Sequence, residues 1–419
     1  MRLKYKLLYL FLISIFILST SFICFFFFFK TNEKKYFKVG ERKAIIFVGG
    51  IGCSTLHYLG ETNSDYKYGE CVFFRGDFNS WSFLDLKDSA IKALKNYKYL
   101  SCDKEGHSTY SYIGILDNYE GVDEYDVKLS KYGFCFMYEK IINFCKNKYG
   151  IGTQHNYDVF LFNYDWRLSN EFNGRRLVDV IKKYPGGVII VAFSMGNLVF
   201  SKAATILYNE NKLDIVKLFV STFPPYCGSI DAIMFLKTGI LDMPLFHVLN
   251  KIYKLDLILR SLSLNFPAMY ELLPTKEFFR RRKGFLIDNN NSRLNYRQSI
   301  SYLRNDQYIN KKLLSDAVKF HSSLYIDGKH ILEFIKNKYF FLGIGYDTPD
   351  RVLIDRKDLN KLKIVSYSDG DGTVNYSNSA YPPCNVDEED IINIKKVHNN
   401  LYFDSDFLME LSDVLEMYI

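Results

Sequence analysis

The chain has 419 residues, 48% hydrophobic and 17% aromatic, with a formal net charge of +7. That length can bury a sizeable core, and that composition excludes a disordered chain. The charge is mild and the lysines are scattered, so nothing argues for a nucleic-acid-binding surface; weak attraction to an anionic membrane is compatible with it.

Residues 7–29 form an unbroken run of apolar, aromatic or small hydroxyl side chains, flanked by Arg2, Lys4 and Lys6 before it and Lys30, Lys34 and Lys35 after it. At 1.5 Å rise per residue, the run is long enough to cross a hydrocarbon core of ~30 Å. It ends in five phenylalanines rather than small residues. An uncleaved signal-anchor over residues 1–35 is therefore expected, with a cleaved signal peptide as the alternative. Either way, residues 36–419 are expected in the secretory pathway, membrane-anchored or secreted. Eight cysteines occur without a CxxC pattern, which argues against a zinc site and leaves one or two disulfides open.

Lys43-Ala44-Ile45-Ile46-Phe47-Val48 reads as a first buried strand running into Gly49-Gly50-Ile51-Gly52. The glycine spacing fits no phosphate-binding loop. Residues 60–115 are aromatic and polar, and contain Cys71, Trp81 and Cys102. They read either as an apolar surface excursion closed by a Cys71–Cys102 bridge or as a buried structural helix. A helical pattern follows over 134–149, a strand over 157–168 that ends Tyr164-Asp165-Trp166-Arg167-Leu168, and a helix over 174–184. Next comes Val188-Ile189-Ile190-Val191-Ala192-Phe193-Ser194-Met195-Gly196-Asn197, a buried strand that turns into a helix at a serine flanked by small residues. That is the arrangement of a nucleophile elbow, and it is equally that of a capping serine.

A further strand spans 216–221, and residues 230–345 read as a largely helical, apolar cap with a basic cluster at 280–283. The sheet is expected to resume at 339–345 and 363–367, the latter running into Ser368-Asp369-Gly370-Asp371-Gly372-Thr373-Val374. This run lacks the closing glutamate of a calcium loop. His398 then precedes a terminal amphipathic helix from about 404. Strands alternating with helices predict an α/β fold with a mostly parallel central sheet.

Ser194, then Asp369 or Asp371, then His398 follow the chain order of α/β-hydrolase triads. The chemistry needs all three. A serine hydroxyl is a poor nucleophile until an imidazole takes its proton, and a carboxylate must hold the imidazole's tautomer. Asp371 sits deeper in the 370–372 turn and is favoured over Asp369.

The turn at 49–52, the run at 164–168, Ala192-Phe193-Ser194-Met195-Gly196, Gly228-Ser229, the run at 369–374 and His398 together resemble the lecithin:cholesterol acyltransferase family, which includes lysosomal phospholipase A2. The resemblance covers about residue 43 to the end. It implies an α/β-hydrolase fold with a membrane-binding excursion (about 60–115) and a helical cap with a lid (about 230–345). In the roles it implies, Ser194 is the acyl-accepting nucleophile, Asp371 the orienter and His398 the base. The backbone N–H groups of Ile51 and Met195 are the oxyanion donors. Cys71 and Cys102 match the family disulfide that closes the excursion around Trp81. The family's second disulfide has no counterpart, since Phe340 stands near its first cysteine and Cys384 lacks a partner.

Ala192, Phe193, Gly49 and the stretch 224–227 depart from the family pattern, but none removes a reacting group. The expected activity is a serine phospholipase or O-acyltransferase acting at a phospholipid surface and passing an acyl group to water or a lipid alcohol. No metal, organic cofactor or obligate protein partner is called for. The alternatives are a catalytically inactive, membrane-anchored lipid-binding protein and a neutral-lipid esterase.

Overall fold

A computed structural model describes residues 42–54, 56–61, 99–111, 113–114, 136–239, 254–281, 284–355 and 362–419. The apolar run at 7–29, most of the 60–115 excursion including Cys71 and Trp81, and part of the cap lie outside the described residues. Among the described residues no helix is long and apolar enough to cross a membrane.

Among the described residues six parallel strands make the central sheet: β1 (Lys43–Val48), β2 (Asp158–Phe162), β3 (Gly187–Phe193), β4 (Val216–Thr222), β5 (Lys338–Gly343) and, across an intervening ribbon, β8 (Ile391–Ile394). Their order is β8-β5-β4-β3-β1-β2. β3 is enclosed by β1 and β4, with Ile46 opposite Ile190 and Val191 opposite Val220, and every one of its residues is buried. Sheets of this kind are covered on both faces, which is why β1 and β3 are continuous apolar runs rather than alternating ones. Each large aliphatic side chain buried there contributes roughly 1.5–3 kcal/mol.

Helices α1 (Phe136–Tyr149), α2 (Asn170–Ile181) and α3 (Gly196–Asn209) supply the early crossovers. α2 starts at Ser169, whose side chain accepts the Phe172 N–H at 3.1 Å. The chain passes from β2 on one side of β1 to β3 on the other, so the strand order reverses at β1. Ligands of open α/β sheets bind at the carboxyl ends of the strands flanking such a reversal.

Between β4 and β5 the chain inserts helices α4 (Ile230–Thr238), α5 (Leu255–Ser263), α6 (Pro267–Glu271), α7 (Lys276–Arg281), α8 (Tyr296–Asn305) and α9 (Lys311–Ser322). Within the basic cluster, Arg280 pairs with Glu277 at 3.0 Å, and Arg281 donates to the Tyr381 and Pro382 carbonyls. Helix α10 (Ser405–Glu416) closes the fold.

Two expectations need correcting. The strand read at 363–367 does not extend the central sheet. It belongs to β7 (Leu362–Gly370), which pairs antiparallel with β6 (Tyr346–Ile354) in a separate three-stranded sheet. Its side chains alternate between half-buried and exposed, the pattern of a ribbon with one wet face. The sixth central strand is instead β8, four residues set between acidic 387–390 and Lys395-Lys396. In addition, the cap read as 230–345 ends earlier, because β5 already lies in the central sheet.

Candidate active site

The carboxyl ends of β1 and β3 meet at Ser194. Its φ is +51°, a left-handed conformation that costs a non-glycine residue about 1–3 kcal/mol and persists only when its surroundings impose it. They do so here. The Ser194 N–H donates to the Thr222 carbonyl at 3.0 Å, and the Asn197 side-chain amide donates to the carbonyls of Ser194 at 2.9 Å and Thr222 at 3.2 Å. At Gly196 a Cβ would lie 2.2 Å from the Val48 carbonyl oxygen, so the elbow fits against β1 only without a side chain there. Ala192 needs no such freedom. It lies within the strand opposite Val48 and Ser221, and its backbone is not left-handed.

His398 begins a short 3-10 turn after β8 (His398–Phe403). Its Nε2 lies 2.9 Å from Ser194 Oγ and its Nδ1 2.7 Å from Asp371 Oδ2. The carboxylate is held in turn, since Asp371 Oδ1 accepts the N–H groups of Thr373 at 2.9 Å and Val374 at 2.7 Å. The His398 N–H also donates to the Asp371 carbonyl at 2.9 Å. Ser194, Asp371 and His398 are all buried, and Phe193 packs its ring on the imidazole with centroids 5.0 Å apart. Asp369 is instead exposed and accepts the Gly345 N–H at 2.6 Å. Of the two acids left open by sequence, the structure brings Asp371 to the histidine.

The 49–52 turn runs alongside the serine: a Cβ on Gly50 would lie 2.9 Å from Ser194 Cβ and 3.4 Å from its Oγ. Ile51 is partly exposed in that turn, and Met195 is buried at the start of α3. Among the described residues neither the Ile51 nor the Met195 N–H donates to a protein acceptor.

The run at 164–168 proves to be the clasp of this turn. The Tyr164 hydroxyl donates to the Gly49 carbonyl at 2.6 Å, its N–H to Ser54 Oγ at 3.0 Å, and Trp166 Nε1 to the Ser54 carbonyl at 3.0 Å. Arg167 is fully buried. It grips Asp165 with two bonds (2.9 and 2.6 Å) and reaches the Leu100 carbonyl at 3.0 Å and Ser108 Oγ at 3.2 Å. In the sequence this run counted only towards the family resemblance, and its purpose did not show.

Cys102 is a free thiol, pushed up to about 12 by burial, and Cys71, the partner expected for it, lies outside the described residues. Cys145, Cys227 and Cys384 are free as well. Among the described residues no group of three His, Cys, Asp or Glu side chains converges as a metal site.

A family model described as lecithin:cholesterol acyltransferase matches residues 114–337, more than half of the chain. The chain belongs to the lecithin:cholesterol acyltransferase family. In general terms, membership makes it a lipid acyl hydrolase or acyltransferase. The matched stretch holds the 164–168 run and Ser194; the 49–52 turn, Asp371 and His398 lie beyond it and join Ser194 only in space. No curated protein matches the chain by sequence. Among solved structures, a chain from the crystal structure of the Tle4–Tli4 complex is similar at a TM-score of 0.55 and 14% identity, covering 91% of this chain and 100% of that one. At that identity the likeness speaks for the fold alone.

Proposed function

We propose that the protein is a membrane-associated serine phospholipase/O-acyltransferase that takes a fatty acyl group from a glycerophospholipid and passes it to water or a sterol-like alcohol. The observation that carries this reading is the line of hydrogen bonds from Ser194 through His398 to Asp371. His398 Nε2 takes the hydroxyl proton as Ser194 Oγ attacks the ester carbonyl. Asp371 holds the other ring nitrogen and offsets the imidazolium charge. The negative oxygen of the tetrahedral intermediate is met by the Ile51 and Met195 N–H groups. Collapse breaks the ester C–O bond, and the proton on His398 goes to the departing lysophospholipid alcohol. The acceptor then enters, gives its proton to His398 and attacks the acyl-serine, and the same proton returns to Ser194 as the product leaves.

The surface partner in this reading is a phospholipid membrane. Residues 1–35 anchor or target the chain to the secretory pathway, 36–419 form the catalytic unit, and the 60–115 excursion around Trp81 faces the lipid. Replacing Ser194 by alanine is expected to lower acyl release by at least about 10⁴-fold and to abolish fluorophosphonate labelling. Undiminished labelling of Ser194→Ala would remove the nucleophile from this account. Mass spectrometry of products from a defined phosphatidylcholine, with and without a sterol, then identifies the acceptor.

A further inference from the structure

The turn beside Ser194 is held from two sides. Tyr164 donates to the Gly49 carbonyl at 2.6 Å out of the loop that follows β2. From α1, the buried Tyr138 hydroxyl accepts the Gly50 N–H at 3.1 Å. Tyr138 also touches the other parts of the site, its ring meeting Tyr402 of the histidine turn at 5.0 Å and Phe193 of the elbow at 6.3 Å. A turn with two glycines in succession has little conformational preference of its own, so whatever holds its peptide planes decides which amide faces the serine.

Resting on the serine acyl-transfer reading above, we propose that Tyr138, with Tyr164 opposite, is a positioning residue for the oxyanion turn. Its hydroxyl occupies the Gly50 N–H and leaves the Ile51 N–H as the donor to the substrate's carbonyl oxygen. The two hydroxyls hold the Gly49–Gly50 peptide at both ends, and Tyr164, whose hydroxyl also lies 3.3 Å from the Gly50 carbonyl, reaches the next peptide, which carries the Ile51 N–H; a donor fixed in advance costs no reorganisation during reaction. Burial pushes the Tyr138 phenol well above its ordinary value, so it stays neutral and adds no charge beside the oxyanion turn. Nothing in the sequence around Tyr138 marks it, and Tyr149 puts a second hydroxyl in the same buried helical stripe.

Tyr138→Phe keeps the ring and removes only the hydroxyl. The readout is the ratio of kcat/KM for a p-nitrophenyl ester to that for its thiono counterpart, whose sulfur is a weak acceptor and gains little from an oxyanion donor. Because both substrates are read on the same sample, the ratio is independent of how much protein is correctly folded. Tyr138→Phe is expected to lower this ratio about tenfold, with kcat for the ester falling and KM staying within about twofold. Tyr164→Phe should move the ratio in the same direction, and it carries the test if Tyr138→Phe yields no folded protein. Tyr149→Phe removes a buried hydroxyl at the far end of the same helix, bonded to Ser412, and should leave the ratio unchanged. A wild-type ratio in both Tyr138→Phe and Tyr164→Phe, or a rise in KM at constant kcat, would overturn the assignment. Loss of the serine reading would show differently, as Ser194→Ala retaining turnover of the ester.

Discussion

Strand β3 buries seven residues, Gly187–Phe193, and none of them is ionisable. The inserted segment between β4 and β5 also buries its share, but it takes Lys237, Glu271, Asp306 and His330 in with it. Lys237 and Asp306 form an ion pair, and Lys237 also lies over the Tyr302 ring at 5.3 Å. Glu271 accepts the Asn170 N–H at 2.7 Å, and burial pushes its carboxyl up to about 8. Desolvation pushes His321 down to about 4, with its Nε2 2.6 Å from the Glu271 carbonyl, and His330 down to about 3. The contrast teaches where conditions act on this molecule. The frame that strains Ser194 is held by apolar packing and backbone bonds, whereas the insertion beside it is held partly by groups whose charge state matters.

The contrast is broken most strongly at Lys237. Replacing it with methionine leaves the Asp306 carboxylate buried without its cation and is expected to cost about 3–5 kcal/mol, read by denaturant unfolding. Adding Asp306→Leu should restore most of that loss; a single variant costing under about 1 kcal/mol would mean the pair does not hold the insertion.

A smaller effect sharpens it through pH. The folded chain keeps a proton on Glu271 that the unfolded chain releases above its ordinary value of 4.5, so stability falls as pH rises and this contribution is gone above about 8. The histidines have the opposite sign: their contribution is present above 6.5 and is lost as pH falls through about 4 and then 3. Between 6.5 and 8 the Glu271 effect acts without them and amounts to about 2 kcal/mol. Melting curves should show Tm declining over that window in the wild type, with most of the slope absent in Glu271→Gln. An unchanged slope in the variant would assign it elsewhere.

The smallest effect lies in the sheet. Ala192→Gly, which restores the residue usual in the family motif, should cost about 0.5–1 kcal/mol in stability and leave turnover within about twofold, because the position is ordinary strand. A marked gain in activity would show that the elbow is distorted by the alanine.

Much of the core was legible because burial on both faces writes itself as continuous apolar runs, as in β1 and β3. β8 was not, since Ile391–Ile394 is too short to outweigh the charges around it. β7 was misassigned to the central sheet because pairing partners do not appear in a local pattern. At the site, chain order led to Ser194 and His398, and the depth of the turn favoured Asp371 over Asp369. Tyr138 escaped notice because its role depends on a contact with Gly50, 88 positions away. The Cys71–Cys102 bridge was expected from the family resemblance; Cys102 is a buried free thiol packed beside the Asp165–Arg167 pair, and Cys71 lies outside the described residues.

That pair has a consequence of its own. Arg167 fastens residues 99–111 to the loop after β2 through Leu100 and Ser108. A guanidinium does not give up its proton in proteins, and the Leu100 carbonyl and Ser108 hydroxyl it bonds are neutral, so these two links do not depend on the charge state of the inserted helices. Whatever acidity does to the inserted helices, the strap leading to the rest of the excursion stays bolted to the catalytic frame.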